Sequence, residues 1–155
     1  SEPGKGTTFH VFLPRIEEEA VAQDTGNLTE SPTGKERILL VDDEEAIVDL
    51  GQRILKRLGY EVTTRTCSVE ALETFKAEPD FFDLVITDQT MPKMTGVELA
   101  KAFMRIRPGI PMILCSGYSE TISREDAKAL GIREYMMKPF SMAAMAETIR
   151  KVLEI

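Results

Sequence analysis

From residue 36 onward, short apolar runs alternate with segments in which apolar residues recur at spacings of three and four. A run such as Ile38-Leu39-Leu40-Val41 is too short for a helix and too continuous for a half-exposed strand, so it reads as a strand buried on both faces. The pattern predicts strands over 37–41, 60–65, 83–87, 111–115 and 133–137, and helices over 44–58, 68–77, 95–106, 119–130 and 141–154. In the first helix, Ile47, Leu50, Ile54 and Leu58 trace one stripe that is expected to be buried. Gly59 follows as a left-handed cap, Ser68 and Ser141 are expected N-caps, and Arg107-Pro108-Gly109 stops the third helix. The fourth helix has the thinnest stripe: Ile122, Ala127 and Leu130.

Strand–helix alternation of this kind builds βαβ units on a parallel sheet. Five such units predict a flavodoxin-like, doubly wound (βα)5 fold, with the first and third strands central and the strand order 2-1-3-4-5. Ligands of such sheets bind beyond the carboxyl ends of the strands, where the winding reverses between the first and third.

Upstream of residue 36 the pattern breaks. Thr8 to Leu13 fits one strand, Ile16 to Ala22 fits a short helical turn, and residues 15–35 have linker composition. The expected organisation is a short segment over 1–14, a linker over 15–35 and one domain over 36–155.

The bulk numbers exclude several classes. A formal net charge of −7 in 155 residues argues against a nucleic-acid surface. No apolar stretch approaches the roughly 20 residues that span a bilayer, and the first residues lack the apolar region of a signal peptide. Cys67 and Cys115 have no metal-site spacing and read as reduced thiols of a cytoplasmic protein.

The chemistry lies at the strand ends. The first predicted strand runs into Asp42-Asp43-Glu44 and the third into Asp88. The fourth ends at Ser116 and the fifth at Lys138. All face the rim where this fold binds ligands. Clustered carboxylates repel, so such a site either raises a carboxyl pKa or recruits a cation. Mg2+ suits an all-oxygen set that leaves coordination positions open. Asp88 is then a candidate nucleophile for a phosphoryl group, with the Lys138 ammonium and Ser116 hydroxyl placed to meet its oxygens. Each residue alone has an ordinary role: an acidic pair favoured at a helix start, a turn aspartate, a loop serine, a solvated lysine. Their joint occurrence at four strand ends separates the readings. The second strand, ending at Arg65-Thr66-Cys67, contributes nothing obvious to the rim. The methionines read as core filler, and His10 as an ordinary strand residue.

Residues 36–155 resemble the receiver domain of two-component response regulators. The matching pieces are Ile38 to Glu44, Asp83 to Asp88 with Met91-Pro92-Lys93-Met94-Thr95-Gly96, Ser116-Gly117-Tyr118, and Lys138-Pro139-Phe140. The resemblance implies that Asp88 accepts a phosphoryl group from a phosphohistidine. It implies Mg2+ held by Asp43, Asp88 and the Thr90 backbone carbonyl, with Asp42 acting through water. It further implies that Lys138 pairs with the phosphoryl group across a cis Lys138–Pro139 bond, and that Ser116 and Tyr135 form the switch pair. Gly4-Lys5-Gly6-Thr7-Thr8-Phe9, followed by Leu13-Pro14, is similar to the last glycine box and closing strand of a histidine-kinase ATP-binding domain. That implies a piece of a hybrid sensor kinase whose receiver follows the catalytic core. The implied partners are the parent kinase core or a histidine phosphotransfer protein, and a homodimer could use the face of the fourth and fifth strands and their helices. No nucleic-acid or membrane contact is expected, and the stop at Ile155 reads as leaving no output domain.

Three alternatives fit the residues less well. A Mg2+-dependent phosphatase would carry a DxDx[TV] pattern that Asp42-Asp43-Glu44-Glu45 does not fit. A flavodoxin would need a phosphate-cradling loop after the first strand. A pseudo-receiver that only binds protein would lack a site residue, and none is missing.

Overall fold

The computed structural model describes residues 32–117 and 124–154. The expectations for residues 1–31, His10 among them, and for Tyr118 to Ser123 lie outside these residues. Five strands, β1 (Arg37–Val41), β2 (Glu61–Arg65), β3 (Leu84–Asp88), β4 (Met112–Ser116) and β5 (Glu134–Met137), alternate with five helices. These are α1 (Glu45–Arg57), α2 (Ser68–Ala77), α3 (Gly96–Ile106), α4 (Arg124–Ala129) and α5 (Met142–Leu153). The sheet is parallel throughout, in the order β2-β1-β3-β4-β5, as the apolar pattern predicts. Most predicted boundaries agree within one residue. Residues 119–123 of the predicted fourth helix fall among those not described.

Side chains alternate between two cores. Leu39, Val41, Val85, Met112 and Leu114 pack with α2 and α3 on one face. Ile38, Leu40, Leu84, Ile86 and Ile113 pack with α1 and α5 on the other. β1, β3 and β4 are therefore buried on both faces, whereas β2 is a half-exposed edge.

Two local expectations are corrected. The buried face of α1 runs through Val48, Gly51, Leu55 and Leu58, while Leu50 is 49% exposed. The reason is Gly51, where a Cβ would lie 2.8 Å from the Leu40 side chain. A residue without a side chain marks the closest approach of helix and strand, and that moves the buried stripe one position from the one the large apolar residues trace. At α2, Cys67 occupies the N-cap position. Ser68 is the first helical residue, and its hydroxyl donates to the Pro92 carbonyl at 3.1 Å. Ser141 does cap α5, accepting the Ala144 N–H at 3.2 Å. After α1, the Gly59 N–H donates to Lys56 O at 3.0 Å and the Tyr60 N–H to Leu55 O at 3.1 Å. Gly59 takes φ +94°, so the helix closes in a Schellman turn.

Candidate functional site

The carboxyl ends of β1 and β3 bring Asp42, Asp43 and Asp88 together, each offering an oxygen within 4.8 Å of the others. Asp42 and Asp88 are buried, and Asp43 faces solvent. The Asp42 Oδ1 accepts the Glu44 N–H at 3.1 Å, which turns the chain into α1 and aims the other oxygen across the rim. There the Lys138 Nζ lies 2.6 Å from Asp42 Oδ2 and 2.5 Å from Asp88 Oδ1. The second Asp88 oxygen accepts the Thr90 N–H at 2.7 Å. The Lys138–Pro139 bond is cis, as the resemblance implies.

One ammonium shared between two buried carboxylates compensates neither in full. Burial lifts the Asp42 and Asp88 carboxyls above the usual aspartate range, against the opposing pull of Lys138. Burial also works against the Lys138 charge, but its hydrogen bonds to Asp42 and Asp88 outweigh it and hold the ammonium above its ordinary pKa. Three hard oxygen donors with excess negative charge fit a divalent cation of the Mg2+ or Ca2+ type.

The loop after β3 is held from several sides. The Gln89 N–H donates to Cys115 O at 2.8 Å, and the Gly96 N–H donates back to Gln89 O at 2.9 Å. Met91 is only 6% exposed and pins the loop to the core. Thr95 and Glu98 form a capping box that starts α3. Lys93, between Met91 and Thr95, takes φ +69°.

Ser116 ends β4, the neighbour of β3, and Tyr135 lies on β5, one strand further from the carboxylates. The Ser116 hydroxyl is fully buried and donates to Gly117 O at 3.1 Å, while its carbonyl accepts the Lys138 N–H at 2.8 Å. Tyr135 pairs in register with Leu114 and packs half-buried on the face that carries Ala127 and Ile132.

Sequence reasoning missed one part of this rim. Thr66, Cys67 and Ser68 after β2 join Asp43, Met91, Pro92 and Lys93 around a cavity of about 210 Å³. Backbone N–H groups of Glu70 and Val69 hold the Cys67 thiol below its ordinary pKa, helped by the Lys93 ammonium, whose Nζ lies 3.9 Å from Cys67 Sγ. A cysteine one residue before a helix was the available signal. The partner lysine, far along the chain, was not visible as such.

An open α/β sheet of this kind binds its ligands at the switch point of the winding, and that is where Asp42, Asp43, Asp88 and Lys138 come together. The chain belongs to the response-regulator receiver family, whose domain model matches residues 38–150. It is therefore a phosphoacceptor signalling module of the two-component type. It is 36% identical to the sensor kinase CckA of Brucella abortus, a match covering 99% of this chain and 17% of that protein. It is 33% identical to the chemotaxis protein CheY of Thermotoga maritima, covering 75% of this chain and 96% of that one. A CheY-like receiver structure from Methanospirillum hungatei superposes with a TM-score of 0.71 at 34% identity, over 78% of this chain and 95% of the other. The chain thus spans about half or less of larger relatives such as CckA and the Bacillus subtilis regulator PhoP, of which it covers 48%.

Proposed function

We propose that Asp88 is the phosphoacceptor. A carboxylate oxygen attacks the phosphorus of a phosphohistidine, the P–N bond breaks, and the electron pair leaves with the imidazole, yielding an acyl phosphate on Asp88. The observation that carries this reading is the Lys138 ammonium seated 2.5 Å from Asp88 Oδ1 and 2.6 Å from Asp42 Oδ2. It is a cation already positioned where phosphoryl oxygens would arrive. Asp43, Asp88 and the Thr90 carbonyl would hold Mg2+, with Asp42 reaching it through water. When bound, that ion would neutralise phosphoryl charge. Ser116 is the switch hydroxyl and Tyr135 the switch ring. Their buried and half-buried places on neighbouring strands suit a coupled rearrangement toward the phosphoryl group.

The upstream residues support a hybrid parent. The match to the CckA sensor kinase extends over 99% of the chain, residues before the receiver included. On this reading 1–14 is the end of an ATP-binding domain, 15–35 the linker and 36–155 the receiver. The donor is the parent kinase core or a histidine phosphotransfer protein, and this piece is a substrate of phosphotransfer rather than a kinase. The setting is the cytoplasm. No helix among the described residues is long and apolar enough to cross a membrane.

Incubation with acetyl phosphate and Mg2+ tests the acceptor. Intact-mass analysis should show one added phosphoryl group on the wild type and none on Asp88→Asn. Equal labelling of the variant sinks the assignment.

A further inference from the structure

The end of the sheet opposite the acidic rim carries a second polar cluster, built from the residues that lead into β1. Gly34 lies against Glu36, Tyr60 and Arg150 so closely that a Cβ would meet their side chains at 2.1, 2.4 and 2.7 Å. The Gly34 N–H donates to Leu58 O at 3.0 Å, and the Glu61 N–H donates to Glu36 O at 3.1 Å. The facing turn makes room in the same way, since a Cβ on Gly59 would lie 2.6 Å from Gly34 O. Two backbones therefore meet glycine against glycine.

Arg150, in the last turn of α5, closes over this contact. Its Nε donates to the Tyr60 hydroxyl at 3.0 Å, its guanidinium carbon stands 5.4 Å from the Tyr60 ring centre, and its Nη2 lies 2.7 Å from Glu36 Oε1. Tyr60 is 3% exposed, so the ring is a fixed platform. The Glu36 carboxyl is drawn below its ordinary pKa: burial opposes this, and the hydrogen bond and charge of Arg150 outweigh it.

We propose that residues 32–36 form a strap, locked by Gly34 and clasped by Arg150, that fastens the upstream chain to α5. A tether would need none of this. A glycine with no room for a methyl group, a planar fork engaging both a carboxylate and a phenol, and two backbone hydrogen bonds make a stiff joint with a set direction. Whatever precedes residue 32 is carried on that joint, and a displacement of α5 moves the point from which the upstream chain departs. The strap is independent of the chemistry at the acidic rim.

Amide hydrogen exchange by NMR on the full 155-residue chain tests it. In the wild type the Gly34 and Glu61 amides should be protected. Arg150→Ala should speed both by about tenfold or more, while the Val85 amide, which donates to Pro111 O in the sheet, stays unchanged. Gly34→Ala should do the same with every charge retained. Wild-type Gly34 exchange at the rate of an open amide, or exchange within about twofold of wild type in both variants, overturns the strap.

Discussion

Gly96 lies so close to Asp88 that a Cβ on it would sit 2.1 Å from the Asp88 carbonyl oxygen and 2.7 Å from Leu114 Cδ1. The obstructing oxygen is backbone, which cannot swing away, so Gly96→Ala must push the loop off the end of β3. We expect a loss of about 1–3 kcal/mol in urea unfolding and slower labelling by acetyl phosphate. Gly109→Ala is the control. That residue takes φ +87° with nothing within 4 Å, so it should cost about 1 kcal/mol of backbone strain and leave labelling unchanged.

Lys138→Met removes the one ammonium between Asp42 and Asp88, both buried. The two carboxylates then face one another uncompensated. Stability at pH 7 should fall by about 2–3 kcal/mol, and the deficit should shrink as the pH is lowered and one carboxyl takes up a proton. Labelling by acetyl phosphate should drop by at least about tenfold even where the variant is folded. Denaturant titrations at pH 5 and 7 check the first outcome, and intact mass against time checks the second.

A divalent cation that binds the folded rim must stabilise it. At Mg2+ about tenfold above its dissociation constant the gain is about 1.4 kcal/mol, visible as a rise in Tm. Asp43→Asn should abolish most of the rise, because Asp43 is one of the three carboxylates that converge. An unchanged rise in that variant would remove Asp43 from the metal site.

Asp83 accepts the Arg37 N–H at 2.8 Å, and its carboxylate pairs with the Arg37 guanidinium at 3.3 Å. Burial pushes its pKa up, but the backbone and side-chain bonds from Arg37 win and hold it below the ordinary 3.8. A carboxyl lowered in the folded state contributes stability above that ordinary value and loses it as the pH falls through the folded pKa. Asp83→Asn should therefore cost about 1 kcal/mol at pH 7, a modest figure because the pair is a third exposed, and nothing once the pH is below the folded value. Thermal melts of both proteins between pH 2 and 7 should converge at the acid end.

The buried face of α1 makes a further contrast. Leu55 is fully buried and Leu50 is 49% exposed. Leu55→Ala should cost about 2–5 kcal/mol and Leu50→Ala less than about 0.5 kcal/mol, read by denaturant midpoints.

That contrast shows where sequence reasoning stopped. The apolar runs at 38–41, 84–87 and 112–115 announced strands buried on both sides, and burial of that kind leaves little choice of sheet order. The site was legible for a related reason: polar residues that end such strands must emerge at one rim. Facing and fine register were not legible. A glycine decides which side of α1 packs, and hydrophobicity is silent about a missing side chain. Cys67 at the α2 N-cap, with Ser68 tied to Pro92, was equally hidden, since both serine and cysteine can precede a helix and the deciding partner lies 24 residues away. The Gly34–Tyr60–Arg150 contact joins three distant segments and leaves no local pattern at all.

Among the described residues, three carboxylates converge at the strand ends and the Lys138 ammonium pairs with two of them, so these four side chains carry an excess of two negative charges when all are ionised. Phosphoryl donors are themselves anions. That excess would repel an anionic donor, and a dication held by Asp43 and Asp88 would offset it. The charge balance of these side chains thus favours a cation arriving before the donor.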